Sequence, residues 1–293
     1  MPFDFYINIL VAGVLNGTVY GLMALGLSVI FGVMRIVNFA HGEMMVMGMY
    51  AAFMLNVWLG VDPLVALPFV ALALFAFGFG LQTTIINRFI NVPEHQQFLL
   101  LLAVGIILTN AMILLFGPDA RAIQVSYAFD SIELGVLVID KVRIYAAGTA
   151  AIIAALLFGF FRYTRMGKAI RACADNFLGA QVIGLNIKLL YAVTFGIGAA
   201  CVGAAGTLIV MLVDVHPHLA VDFTLLAFVI VIVGGLGSLS GALIGGILVG
   251  VAETLPALLT FVSIPPSMKS MFSFALLILI LLVRPQGLLG KKA

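Results

Sequence analysis

Seven stretches of this chain run for about 18 positions or more without one charged residue: Phe5–Met34, Met44–Val61, Pro63–Asn87, Gln96–Pro118, Ile144–Phe161, Leu189–Val213 and Phe223–Ala252. A bilayer core of about 30 Å takes roughly 20 apolar residues per helix, and a charge at its centre costs roughly 2.5–3.5 kcal/mol. An eighth run, Ser270–Val283, is short, but Lys269 and Arg284 at its ends can snorkel. With 64% hydrophobic and 9% charged residues, the chain lies outside the range of water-soluble domains. The expectation is an all-α, polytopic transmembrane bundle of about eight membrane helices, forming one domain over residues 1–293.

Charge distribution orients the bundle. With the segment Arg162–Lys188 placed in the cytoplasm and the runs alternated outward, Arg35, Arg88, Arg162, Arg165, Lys168, Arg171, Lys188, Arg284, Lys291 and Lys292 all fall inside. Only Arg121, Lys141, Arg143 and Lys269 fall outside, together with Asp4, Asp62, Asp119, Asp130, Glu133, Asp140, Asp214 and Asp222. The N-terminus is therefore expected outside and the C-terminus in the cytoplasm. The opening residues Met1–Phe5 lack a basic segment, so no removable signal peptide is expected. Cys173 and Cys201 are expected as free thiols.

The run Phe223–Ala252 contains Gly234, Gly235, Gly237, Ser238 and Gly241, a poor helix interior. Both flanking loops must face outside if the last helix is to end inside. Only about 11 residues precede the glycines, roughly 17 Å of helix and too short to cross. The expectation is a broken or re-entrant helix pair over residues 223–258. The first half has a loosely similar interruption at 35–43, and interrupted segments in both halves point to a transport pathway. Three stripes of small residues predict close helix contacts: Gly13, Gly17, Gly21, Ser28 and Gly32; Gly196, Ala200, Gly203 and Thr207; Ser238, Ala242, Gly246 and Gly250.

Candidate pathway residues are Asn16, Asn38, His41, Glu43, Gly234, Gly235, Gly237, Ser238 and Glu253. His41 and Glu43 are read at the cytoplasmic start of the second helix, with Asn38 as its cap; capping and pathway lining both remain open. Glu253 is either an interfacial side chain or a polar contact in the path. Thr109 and Asn110 are read as interhelical hydrogen-bonding groups. His216 and His218, on either side of Pro217 in a loop, do not make a metal set, and no metal site is expected. No G-x-x-x-x-G-K-[ST] is present, so ATP binding through a P-loop is not expected.

The segment Arg162–Lys188 carries five cations between two uncharged runs. On a helical wheel, Lys168, Arg171, Ala172, Asp175, Asn176 and Gly179 share one arc, and Ile170, Cys173, Ala174, Phe177 and Ala180 the other. The apolar arc is thin for a lipid anchor and has the shape for insertion into a protein groove.

Val37–Glu43, Arg171–Asp175 with Gly184 nine residues on, Thr194–Ala199, Gly234–Ser238 and Arg284–Leu288 together resemble the LivH-type permeases, inner-membrane subunits of ABC importers for branched-chain amino acids. The resemblance covers essentially the whole chain. It implies that Arg165–Asn186 contains a cytoplasmic coupling helix docking on an ATPase, with Arg165, Gly167, Lys168, Arg171, Ala172, Cys173, Ala174, Asp175, Phe177 and Gly184 as its candidate residues. It also implies a second, LivM-type permease, two ATPase subunits holding ATP and Mg, a periplasmic substrate-binding protein, and a bacterial inner membrane. No cofactor is expected on this chain, nor nucleic acid as a partner. Similar permeases serve urea, amides and aromatic acids, and the residues do not separate these solutes. A self-sufficient secondary transporter or channel, and more distantly a membrane scaffold, are the alternatives of other classes.

Overall fold

The uncharged runs become helices, with loops where charge returns. A computed structural model describes residues 3–90, 92–135, 137–258 and 269–290. Its long helices are α1 (Phe3–Met34), α2 (His41–Leu59), α3 (Pro63–Thr84), α4 (Glu94–Phe116), α5 (Lys141–Tyr163) and α8 (Ile187–Ile209). Between α5 and α8 lie α6 (Arg165–Asp175) and α7 (Phe177–Val182). The chain continues through α9 (Leu219–Gly234), α10 (Leu239–Ala252), the single turn α11 (Leu255–Leu258) and α12 (Lys269–Val283). Among the described residues seven helices are long and apolar enough to cross a membrane, and α9 and α12 are shorter apolar ones. The Ser263–Ser267 loop, Lys291, Lys292 and the Lys269 side chain lie outside the described residues. Arg284 is exposed at the end of α12, its guanidinium donating to the Leu288 carbonyl at 3.3 Å.

One element was not anticipated: an antiparallel hairpin of β1 (Ser131–Leu134) and β2 (Leu137–Asp140) ahead of α5. Asn8 on α1 holds it, accepting the Val138 N–H at 2.8 Å.

The small-residue stripes are where helices meet. α1 and α10 run antiparallel with Gly13 on Gly250, Gly17 on Gly246 and Gly32 on Gly237. A Cβ on Gly17 would lie 2.7 Å from the Gly246 carbonyl oxygen, so the two backbones are in contact. On α8, Gly203 faces Gly48 of α2 and Leu74 of α3. No hydrophobic effect drives helices together in lipid, so this close approach supplies the dispersion contact that does. Helices α1, α2 and α8 form the centre, with α3 along α8 and α10 along α1, while α4 is the least buried of the spans.

The 223–258 pair is broken at its glycines, as expected. Helix α9 starts at Leu219, with Asp222 in its first turn, and its 16 residues, roughly 24 Å, fall short of a bilayer core of about 30 Å. Its break lies against Gly32, level with the Met34 end of α1. The carbonyls of Val233 and Gly234, left free at the helix end, accept the N–H groups of Leu288 and Leu289, both at 2.9 Å. The tail after α12 thus completes the broken helix.

The start of α2 is buried inside the bundle. Arg35 adopts a left-handed φ of 55°, its N–H closing on the Phe31 carbonyl, and residues 35–40 turn back into the bundle. His41 comes to rest beside Met23, eleven residues or roughly 16 Å of helix before the end of α1. Asn38 does not cap α2, since its Oδ1 accepts the Ala40 N–H in a turn ahead of the helix. The cap comes from α9, where the Thr224 hydroxyl accepts the Gly42 N–H at 2.9 Å.

Two outcomes are expected for the purified full chain in detergent. Gly17→Leu should lower the thermal unfolding midpoint by at least the equivalent of an overpacked core, about 1–3 kcal/mol, whereas Gly148→Leu, which faces open space, should change it little. Thr224→Val should cost about 1–3 kcal/mol by orphaning a buried N–H, and Thr224→Ser should restore most of that; equal midpoints for the two would remove the cap from the account.

Candidate functional site

The buried start of α2 gathers three of the candidate residues. Asn38 and His41 are fully buried and Glu43 is 7% exposed. The Nε2 atom of His41 lies 3.0 Å from the Met23 carbonyl oxygen; a carbonyl only accepts, so that nitrogen carries the hydrogen. Its Nδ1 atom is then a bare acceptor, and it has no partner. Asn38 donates to the Met44 sulfur at 3.8 Å. Glu43 points from α2 toward α4, where Gly105 leaves room for it: a Cβ there would sit 3.1 Å from the carboxylate Oε1. Thr109, one turn further along α4, faces the same carboxylate, as its reading as an interhelical group anticipated. The other carboxylate oxygen, Oε2, has no partner. Among the described residues both ion pairs, Lys141–Asp130 and Arg143–Asp140, lie at the start of α5, far from this carboxylate. An acid at membrane depth costs roughly 2.5–3.5 kcal/mol and is retained where it has work to do.

A cavity of about 390 Å³ opens at the Met34 end of the same region, lined by Arg35, Ile36, Val37, Phe39, His95, Gln97 and Phe98. Sequence reasoning missed its α4 side. His95, Gln97 and Phe98 begin a helix whose neighbour only the fold reveals.

The remaining pathway candidates lie elsewhere. Asn16 is half-buried on α1, its Oδ1 without a partner. Gly234, Gly235, Gly237 and Ser238 form the turn between α9 and α10. Gly235 and Gly237 take positive φ values of 105° and 77°, and Ser238 caps α10 by accepting the Gly241 N–H at 3.1 Å. These four residues build a turn packed on Gly32 and the tail, a structural duty that accounts for each. Glu253 ends α10 and accepts the Ser273 hydroxyl of α12 at 3.3 Å, an interhelical contact. Asn110 donates to its own helix at Ile106 rather than to another one.

The basic segment folds as two helices, not one. Thr164 caps α6 by accepting the Gly167 N–H, and Asn176 both ends α6 and caps α7 through the Gly179 N–H at 2.8 Å. A Cβ on Gly167 would run into the Phe160 carbonyl, so α6 lies tight on the end of α5. Arg165, Lys168, Arg171, Ala172 and Asp175 face outward. The apolar arc does not. Ile170, Cys173 and Ala180 are buried against the bundle, and burial pushes the Cys173 thiol above its ordinary pKa. Ala174 is half-buried and Gly184 makes the turn toward α8 with φ 81°. The apolar surface left open comes from α7 instead: Phe177, Leu178, Val182 and Ile183. Leu178, Val182 and Ile183 carry no charge signal, and only the break at Asn176 turns them outward.

Comparison with known proteins fits this geometry. The family model described as "Branched-chain amino acid transport system / permease component" matches residues 9–281. The chain is 32% identical over 308 residues to the high-affinity branched-chain amino acid transport system permease protein LivH of Escherichia coli K12, covering 99% of this chain and 97% of that one. It is 31% identical over 299 residues to the permease protein BraD of Pseudomonas aeruginosa, covering 98% and 96%. Its fold resembles a solved structure, PsaBC from Streptococcus pneumoniae in complex with Fab, at a TM-score of 0.50 and 14% identity over 95% of this chain and 92% of that one. The chain is a multi-pass membrane protein that belongs to the permease-component family of branched-chain amino acid transport systems.

Proposed function

We propose that this chain is one membrane-spanning subunit of an ATP-driven importer that carries branched-chain or related amino acids from periplasm to cytoplasm across a bacterial inner membrane. The single observation that carries the reading is the arm formed by α6 and α7. It presents Arg165, Lys168 and Arg171 beside an apolar patch in which Leu178 is 70% and Val182 86% exposed. A segment that leaves such residues open to water is stable where another protein covers them. An ATPase subunit is that protein in this reading, and the arm faces the cytoplasm.

The remaining partners follow. A second permease of LivM type completes the membrane part, and a second ATPase completes the pair that holds ATP and Mg. A periplasmic substrate-binding protein delivers solute at the opposite end, where Asp119, Asp130, Glu133, Asp140, Asp214 and Asp222 are exposed. Specificity rests mainly with that protein. The solute path runs past the buried start of α2, with Asn38, His41 and Glu43 as its lining; Asn16, Glu253 and the 234–238 turn shape the walls.

The test is co-purification of the tagged chain followed by reconstitution in liposomes. ATPase chains should accompany it, and leucine uptake should require ATP and the receptor. Uptake without ATP would establish a secondary transporter, and preference for urea or an aromatic acid would move the solute class. Arg171→Glu and Leu178→Asp should each reduce receptor-stimulated ATP hydrolysis roughly tenfold or more, the loss typical of a central contact residue, without reducing the amount of chain in the membrane. Gly184→Val, forced into a left-handed φ, should act in the same direction. Unchanged hydrolysis in the first two variants would sink the docking assignment.

A further inference from the structure

Helices α2 and α4 meet through side chains rather than backbone. Phe39 packs edge-on against Phe98 with centroids 4.5 Å apart, Glu43 faces Gly105, and Tyr50 stacks on Phe116 at 4.1 Å. These contacts follow one another along both helices and define a single seam. Glu43 and Tyr50, seven residues apart, lie on the same face of α2, roughly two turns or 10 Å from one another. Tyr50 is 1% exposed and its hydroxyl has no partner, like the carboxylate Oε2 atom of Glu43. The seam therefore holds two buried polar atoms with unused hydrogen-bonding capacity.

Both ends of the seam are open to charge. At the Met34 end, Phe39 and Phe98 form the roof of the 390 Å³ cavity that Arg35 and His95 also line, a size within the ~300–1,000 Å³ of small-molecule sites. At the other end the Arg121 guanidinium lies 5.8 Å from the centre of the Phe53 ring, beyond Tyr50. One wall, α2, is fixed by its contacts to α3, α8 and α9. The other, α4, is the least buried span.

We propose that the α2–α4 seam is the solute route of this subunit, that α4 is its moving wall, and that the Glu43 carboxylate receives the ammonium group of an apolar amino acid passing between the two aromatic pairs. The inference rests on the amino-acid reading of the function above and assigns it a place. The ammonium supplies the donor that Oε2 lacks, and the Phe39–Phe98 and Tyr50–Phe116 pairs give the apolar side chain a matching surface above and below. Tyr50 is the next polar stop along the route, too far from Glu43 to hold the same small solute at once.

The experiment uses the complete transporter in liposomes, in which the native Cys173 and Cys201 are buried from a water-soluble reagent. Glu43→Cys and Tyr50→Cys should react with a water-soluble methanethiosulfonate during ATP turnover, and Met49→Cys, which faces α8, should not. Failure of both seam positions to react would overturn the route, whatever the solute. Radiolabelled leucine uptake should fall roughly tenfold or more in Glu43→Gln, as expected for loss of a charge-assisted hydrogen bond, and recover partly in Glu43→Asp; full uptake in Glu43→Gln would overturn the ammonium assignment. Cross-linking Phe39→Cys to Phe98→Cys with a short bifunctional methanethiosulfonate should abolish the uptake that the unlinked double variant retains, and unimpaired uptake with the link formed would overturn the moving wall. If the seam positions react while the unmodified transporter ignores leucine, it is the amino-acid reading of the function that fails and the route that stands.

Discussion

A helix that begins in an apolar interior presents its first N–H groups where no water can reach them. Helix α2 begins that way, and much of the bundle is arranged around the fact. Thr224 must come from α9 to accept the Gly42 N–H, and Gly42 must lack a side chain, because a Cβ there would collide with the Ala220 carbonyl. Asn38 must take up the Ala40 N–H inside the linker. Arg35 must hold a left-handed backbone so that the chain re-enters at all. What this arrangement achieves is a carboxylate and an imidazole buried inside the bundle, where a helix starting at its edge would have left them exposed.

Much of this was legible in the residues, and the division is physical. Runs without charge mark spans because lipid penalises charge wherever it occurs in the core, so a polytopic helical bundle could be expected before any contact was known. Glycine stripes such as Gly13–Gly17–Gly21 and Gly246–Gly250 predicted close approach because small residues in lipid have few other uses. Burial of the α2 start was not legible. The pattern at 38–43 is the same whether α2 starts at the edge of the bundle or inside it, and the difference is set by Arg35 and by Thr224, 182 positions away. The α6–α7 arm shows the same boundary. Its charges were read correctly as outward, but which apolar residues join them depends on the Asn176 break, and a single helical wheel cannot represent a break.

Rigid and loose parts are segregated. Helix α8 is the most buried span, follows directly on the α6–α7 arm through the Asn186 cap, and touches α1, α2 and α3. A force on the arm meets α5, α1 and α8 together and is shared among packed backbones that shift together. Helix α4 stands outside that block and touches it through aromatic rings and one carboxylate. Such contacts can part and re-form without loss of backbone pairing, whereas the α1–α10 seam, with glycine on glycine, cannot.

The pairing of Leu288 and Leu289 with the end of α9 ties the tail after α12 to the break in the second half. Without it the carbonyls of Val233 and Gly234 would have no backbone partner there, and an unsatisfied group in hydrocarbon is costly. A proline at position 288 or 289 removes one of these N–H groups while leaving every apolar helix intact, so the α9–α10 turn loosens with no change in any span.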